Sequence, residues 1–126
     1  MYEDIRDCEL VNHIESQKLK HLIHSFLTNG WKGMPILYCA TLNCLVTGSH
    51  RLAALRYLED TYNDYSSEKQ ETIDKLFESV ETIDVSDIIN SYCESNDCTF
   101  EQIDFSNLKD VFADTEIEKY KQELEW

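Results

Sequence analysis

The run Thr47-Gly48-Ser49-His50-Arg51 gathers the groups that hold an anion. A helix that begins at Ser49 presents unpaired backbone N–H groups and about half a positive charge to whatever sits before it. Gly48 can take a backbone conformation closed to other residues and lets a phosphate approach the main chain. The Ser49 hydroxyl and the His50 imidazole can bond phosphate oxygens, and Arg51 adds a bidentate fork. Arg51 stands four and seven positions before Leu55 and Leu58, on the apolar side of that helix, where a charge needs a partner. The partner is either the anion or a carboxylate in a structural ion pair, with Gly48 then only a turn glycine. Spacing leaves both readings open.

Trp31 and Lys32 follow a helix stop, where a loop could cover a ligand: Trp31 would stack on a base and Lys32 would meet phosphate. The alternative is that Trp31 plugs the core. His21 and His24 share a helix at i, i+3 but lie opposite its apolar stripe, which makes them solvated surface residues. Cys39 and Cys44 flank a short loop, and Cys93 and Cys98 repeat the spacing; neither pair has the two-residue gap of a zinc knuckle. No metal site is expected. Phosphoryl chemistry at the turn would need a metal or a carboxylate base beside it, and Asp4, Glu9 and Glu15 are the nearby candidates in sequence.

The elements that position these groups can be read from periodicity. Leu19, Leu22, Ile23, Phe26 and Leu27 form a helical stripe behind a Ser16 cap, and Asn29-Gly30 stops it. Met34 to Cys39 and Cys44 to Thr47 predict two strands of a hairpin joined by residues 40–43. The second strand runs into Gly48, and Ser49 to about Tyr62 carries helical residues without a breaker. Ser67 and Gln70 resemble a capping box opening a helix to about Ser79, with Ile73, Leu76, Phe77 and Val80 as its stripe. Thr82 to Val85 can be a strand, followed by a Ser86-capped helix ending near Asn96. Thr99 and Gln102 mark another start, and a last amphipathic segment from Thr115 carries Ile117, Tyr120 and Leu124. The expected fold class is α/β (α+β): one domain over 1–126, a small mixed sheet with packed helices and an acidic, mostly helical part from about residue 67.

Charge narrows the partners. The 126-residue chain carries a formal −14, which opposes binding to nucleic acid. Six basic side chains face eight acidic ones before Glu68, and five face seventeen from there on, so an anion should choose the first half. The start Met1-Tyr2-Glu3-Asp4-Ile5 lacks the pattern of a signal peptide and no run reaches the ~20 apolar residues that span a bilayer. A cytoplasmic protein with its five cysteines as thiols is expected.

Leu45-Val46-Thr47-Gly48-Ser49-His50-Arg51-Leu52-Ala53-Ala54-Leu55, within Leu42 to Leu58, resembles the strand, turn and helix of the ParB/sulfiredoxin superfamily. Upstream, Ser25 to Leu37 is similar to the stretch of ParB-like domains where a helix ends in glycine and a Pro-containing strand begins. The resemblance covers about forty residues, Leu19 to Leu58. In that superfamily the turn binds nucleotide phosphates: ParB proteins hydrolyse CTP, sulfiredoxin uses ATP and a free-serine kinase uses ADP. The resemblance therefore implies a nucleotide, ATP or CTP, with Mg2+ as an optional companion, held by Gly48, Ser49, His50 and Arg51.

Two departures from the family pattern bear on activity. Sulfiredoxin has its catalytic cysteine immediately before the His-Arg pair, where this chain has Ser49, which argues against cysteine-dependent sulfinic-acid reduction. ParB proper has Glu-Arg in the turn and a helix-turn-helix domain beyond it, and this chain has neither. The expected function is a nucleotide-binding domain that could hydrolyse or transfer a phosphoryl group. The rival is a non-catalytic acidic module that engages a basic protein through its C-terminal half. Nuclease activity is opposed by the charge and by the lack of a clear carboxylate cluster.

Overall fold

β1 (Ile36–Cys39) is the middle strand of a three-stranded mixed sheet of order β2-β1-β3, with β2 (Cys44–Leu45) antiparallel and β3 (Thr82–Asp84) parallel to it. The computed structural model describes residues 1–10, 12–99, 102–103 and 111–120, without the side chain of Tyr120. The fold class is mixed α+β, as the alternation of periodicities predicts. Tyr38 faces Leu45 and Cys39 faces Cys44 across the hairpin, while Ile36, Leu37 and Tyr38 pair with Thr82, Ile83 and Asp84. Because side chains alternate along a strand, Ile36 and Tyr38 join one core and Leu37 and Cys39 another.

The first core is closed by α1 (Tyr2–Ile5), α2 (Ser16–Asn29), α3 (Ser49–Asp60) and α4 (Ser67–Ser79). The stripe of Leu19, Leu22, Ile23 and Leu27 packs on it around the buried Phe26, and Gly30 ends α2 with its N–H on the Phe26 carbonyl at 3.0 Å. The second core packs α5 (Ser86–Asn96) and Val111, Phe112 and Ile117 against the opposite face of the sheet. A 3-10 helix over Glu116–Tyr120 forms where the last amphipathic segment is expected; Leu124 lies outside the described residues. All five cysteines are free thiols.

Three helix N-caps sit one residue earlier than expected. Glu15, not Ser16, is the N-cap of α2, and its side chain does not cap. Ser66 rather than Ser67 caps α4, its hydroxyl accepting from the Lys69 amide at 3.3 Å. Before α5, Val85 holds the cap position and Asp84 does the capping chemistry: its Oδ1 accepts from the Ser86 amide at 3.0 Å and the Ser86 hydroxyl at 2.6 Å. The strands are also shorter than expected, although Val46 and Thr47 still donate to the Leu37 carbonyl at 2.8 and 3.2 Å. α3 stops at Asp60 instead of Tyr62, where the Thr61 hydroxyl bonds the Tyr57 carbonyl at 2.7 Å and a 3-10 turn over Tyr62–Asp64 takes over.

The segment between α1 and α2 is fastened on both sides. Arg56 of α3 donates to the carbonyls of Arg6 and Cys8, and Arg6 pairs with Glu59 at 2.7 Å. Glu9 then bridges the hairpin: its N–H reaches the Asn43 carbonyl at 2.9 Å and its carbonyl accepts from Leu45 at 3.0 Å. From there the chain is led across the start of α3.

Candidate functional site

The strand-to-helix turn forms as its residues dictate. Gly48 is the N-cap of α3 at φ 88, ψ 24, a left-handed conformation that glycine alone takes without steric cost, and its carbonyl accepts from Leu52 at 2.9 Å. A Cβ at Gly48 would lie 2.9 Å from Ile36 Cγ1, so the close approach to β1 also demands glycine. Ser49 opens the helix, as expected.

The side chains of the turn are engaged within the protein. Thr47 Oγ1 accepts from the Leu37 amide at 3.3 Å and so fastens the turn to β1. Ser49 is only 2 % exposed, and its hydroxyl accepts from the Asn12 amide at 3.3 Å. His50 Nε2 accepts from the Glu15 amide at 2.9 Å. Arg51 donates from Nη1 to the Met34 carbonyl at 2.6 Å and lies 4.9 Å from the centre of the Trp31 ring. A backbone carbonyl and an aromatic face thus lie among the partners of Arg51 on the apolar side of α3. Trp31 stacks on Phe26 at 5.8 Å instead of standing free for a base, and its Nε1 is buried with no hydrogen-bond partner among the described residues. Lys32 is exposed on the same loop.

The chain matches no family model, curated protein or solved structure.

What the turn offers to a ligand is therefore read from its own geometry. His50 borders an open groove of about 570 Å3 whose other walls are Gln17, Lys18, His21 and Leu22 of α2. One ammonium, two imidazoles and a carboxamide thus meet beside the N-terminus of α3, a donor set suited to an anion. Glu15, at the rim, holds Lys18 loosely at 3.8 Å. Of the three carboxylates weighed as bases, Glu15 alone is brought to the turn. Asp4 binds the terminal amine at 2.8 Å and Glu9 lies in the bridge to Cys44.

His21 is exposed, as the opposite-face argument requires, yet it shares the groove with His50, and Lys18 one turn before it does the same. The spacing Lys18-x-x-His21 on the polar side of α2 was the available signal. Its meaning depends on α3 docking beside α2. Among the described residues no group of three or more His, Cys, Asp or Glu side chains could hold a metal ion. No helix among them is long and apolar enough to cross a membrane. A second pocket of about 390 Å3 lies along α5 between Asp87 and Asn96, against Val111, Ala113 and Thr115.

Proposed function

We propose that the chain is a cytoplasmic, ParB/sulfiredoxin-like domain that binds the phosphates of a nucleotide, ATP or CTP, in the groove at the start of α3. One observation carries this reading: in a protein of charge −14, Lys18, His21 and His50 converge beside a glycine-turned helix N-terminus. The N–H groups and partial positive charge of the helix start, with the Lys18 ammonium and imidazoles able to donate, give a phosphate a local reason to choose this face against the overall field. The contacts fall to His50, Lys18, His21 and Gln17, while Gly48, Thr47, Ser49 and Arg51 hold the turn in shape. An accompanying Mg2+ would ride on the phosphates, as that ion commonly does, with water completing its shell. If phosphoryl transfer or hydrolysis occurs, Glu15 is the carboxylate positioned to accept a proton.

The second reading keeps the fold without the ligand. It is favoured by the bonds at Thr47, Ser49, His50 and Arg51, which give each turn side chain a structural task. The negative charge from Glu68 onward then serves a basic protein partner.

A melting-temperature screen with ATP, ADP, CTP and GTP, with and without Mg2+, separates the two. A nucleotide at a hundred times its Kd stabilises the fold by about 2.7 kcal/mol, and Lys18→Glu should abolish that gain without unfolding the protein. No shift with any nucleotide would leave the interaction module.

A further inference from the structure

The strand-side approach to α2 does more than connect elements. Asn12 and Glu15 lie over the start of α3, each donating its backbone N–H to a side chain of the turn: Asn12 to Ser49 Oγ at 3.3 Å and Glu15 to His50 Nε2 at 2.9 Å. The second bond has a chemical condition. An imidazole nitrogen accepts only while it carries no proton, and a protonated imidazole donates from both nitrogens. His50 Nε2 can therefore hold the Glu15 amide, or it can donate to an anion in the groove, but it cannot do both.

We infer that residues 12–15 form a proton-operated strap over the α3 turn, held at its Glu15 end while His50 is neutral and loosened at that end when His50 takes up a proton and turns Nε2 towards an anion, the Asn12 end staying on Ser49 Oγ. The role of the strap as a gate rests on the phosphate-binding reading above. The balance is simple: one proton comes from solvent to Nε2, the Glu15 N–H loses its acceptor and turns to water, and no covalent bond changes.

The charged and titratable groups around His50 set the sign. Lys18 and His21 face it from α2, Glu15 stands at the rim with its carboxylate 3.8 Å from Lys18, and Arg51 follows it on α3. A phosphate in the groove would favour the protonated imidazole, so anion binding and strap release should reinforce each other. His13 is also in the strap and exposed, and must be separated from His50 by substitution.

The test is amide hydrogen exchange by NMR on the full chain, scanned over about pH 5 to 8, the range in which imidazoles as a class change charge. Protection of the Glu15 amide, corrected for intrinsic exchange, should fall about five-fold or more on acidification, the effect of one ordinary hydrogen bond on a local opening equilibrium. The Leu19 amide, bonded to the Glu15 carbonyl at 3.0 Å, should keep its protection. In His50→Gln, whose carboxamide oxygen accepts at any pH, Glu15 should stay protected throughout, while His13→Gln should behave as the parent. Protection independent of pH in the parent, or an unchanged acid response in His50→Gln, would overturn the strap. At pH 7, ATP should lower Glu15 protection and move the His50 nitrogens to the doubly protonated pattern. If ATP binds and Glu15 stays protected, the gate fails and the nucleotide site survives. If ATP does not bind while acid still opens the strap, the nucleotide reading fails and the proton-operated strap survives.

Discussion

Gly48→Ala probes the turn on which the whole arrangement depends. At φ 88 a residue with a Cβ loses about 1–2 kcal/mol to backbone sterics. The new methyl would stand 2.9 Å from Ile36 Cγ1 and 3.2 Å from Cγ2. Ile36 is fully buried in the central strand, and these atoms lie next to its backbone, so they cannot swing away; overpacking of this kind costs about 1–3 kcal/mol. Together the loss is about 2–5 kcal/mol, a large share of the ~5–15 kcal/mol that holds an ordinary domain.

Gly33→Ala supplies the comparison, because φ is +94 there but the nearest atom to a Cβ is Arg51 Nη1 at 3.9 Å. It should lose only the backbone part, about 1–2 kcal/mol. Urea unfolding followed by circular dichroism reads both. With a slope of about 1–3 kcal/mol per molar, a loss of about 2–5 kcal/mol in Gly48→Ala should lower the midpoint by at least about 0.7 M. Adding Ile36→Ala, which removes both offending carbons, should make the pair cost less than the sum of its members. Equal losses at Gly48 and Gly33, or strict additivity with Ile36→Ala, would refute the argument that β1 packs against the turn.

Arg51→Ala should lower stability without ligand by about 2–4 kcal/mol, through the lost charged hydrogen bond to Met34 and the lost stack on Trp31; an unchanged unfolding midpoint would return Arg51 to the role of anion fork. Asp84 is held below the ordinary carboxylate value of 3.8: burial pushes it up, and bonds from the Ser86 hydroxyl, the Ser86 amide and the Ala40 amide outweigh that. A depressed folded-state pKa stabilises above the unfolded value and is lost as pH falls through the folded one. The advantage of the parent over Asp84→Asn should therefore hold at neutral pH and shrink below about pH 4, staying near 1 kcal/mol because Asp84 is exposed; an advantage that grows in acid would contradict it.

The elements around the site were legible because each has a strong local cause. The stripe from Leu19 to Leu27 can be satisfied only by a helix, and three apolar strand residues ending in Thr47-Gly48 before a breaker-free run set the turn at the right place. The caps shifted by one because Ser66 and Ser67 are chemically equal as caps, and because Asp84 reaches from the strand to do what Ser86 was expected to do. The parallel pairing of β1 with β3 has no local signature, since α3 and α4 intervene. The hydrogen bond from Arg51 to Met34 ends on a backbone carbonyl, which every residue possesses, so no pattern of side chains marks that contact. The groove needs α2 and α3 side by side, and the strap needs Arg56 and the Glu9 bridge to lead residues 12–15 across the turn.

The division of the sheet between two cores bears on how the chain is made. Every buried member of the core on the α2, α3 and α4 side lies within the first 80 residues, whereas the other face is covered by residues from Val85 to Ile117. During vectorial synthesis the turn, the groove and the strap can be complete while Leu37, Cys39 and Val46 still face water and β1 lacks its parallel neighbour. Once about 80 residues have cleared the ribosome, the chain would thus display a finished turn on one side and an apolar sheet on the other, a surface that holdase chaperones recognise. Until α5 emerges to cover that sheet, the nascent chain has its turn in place before its second core.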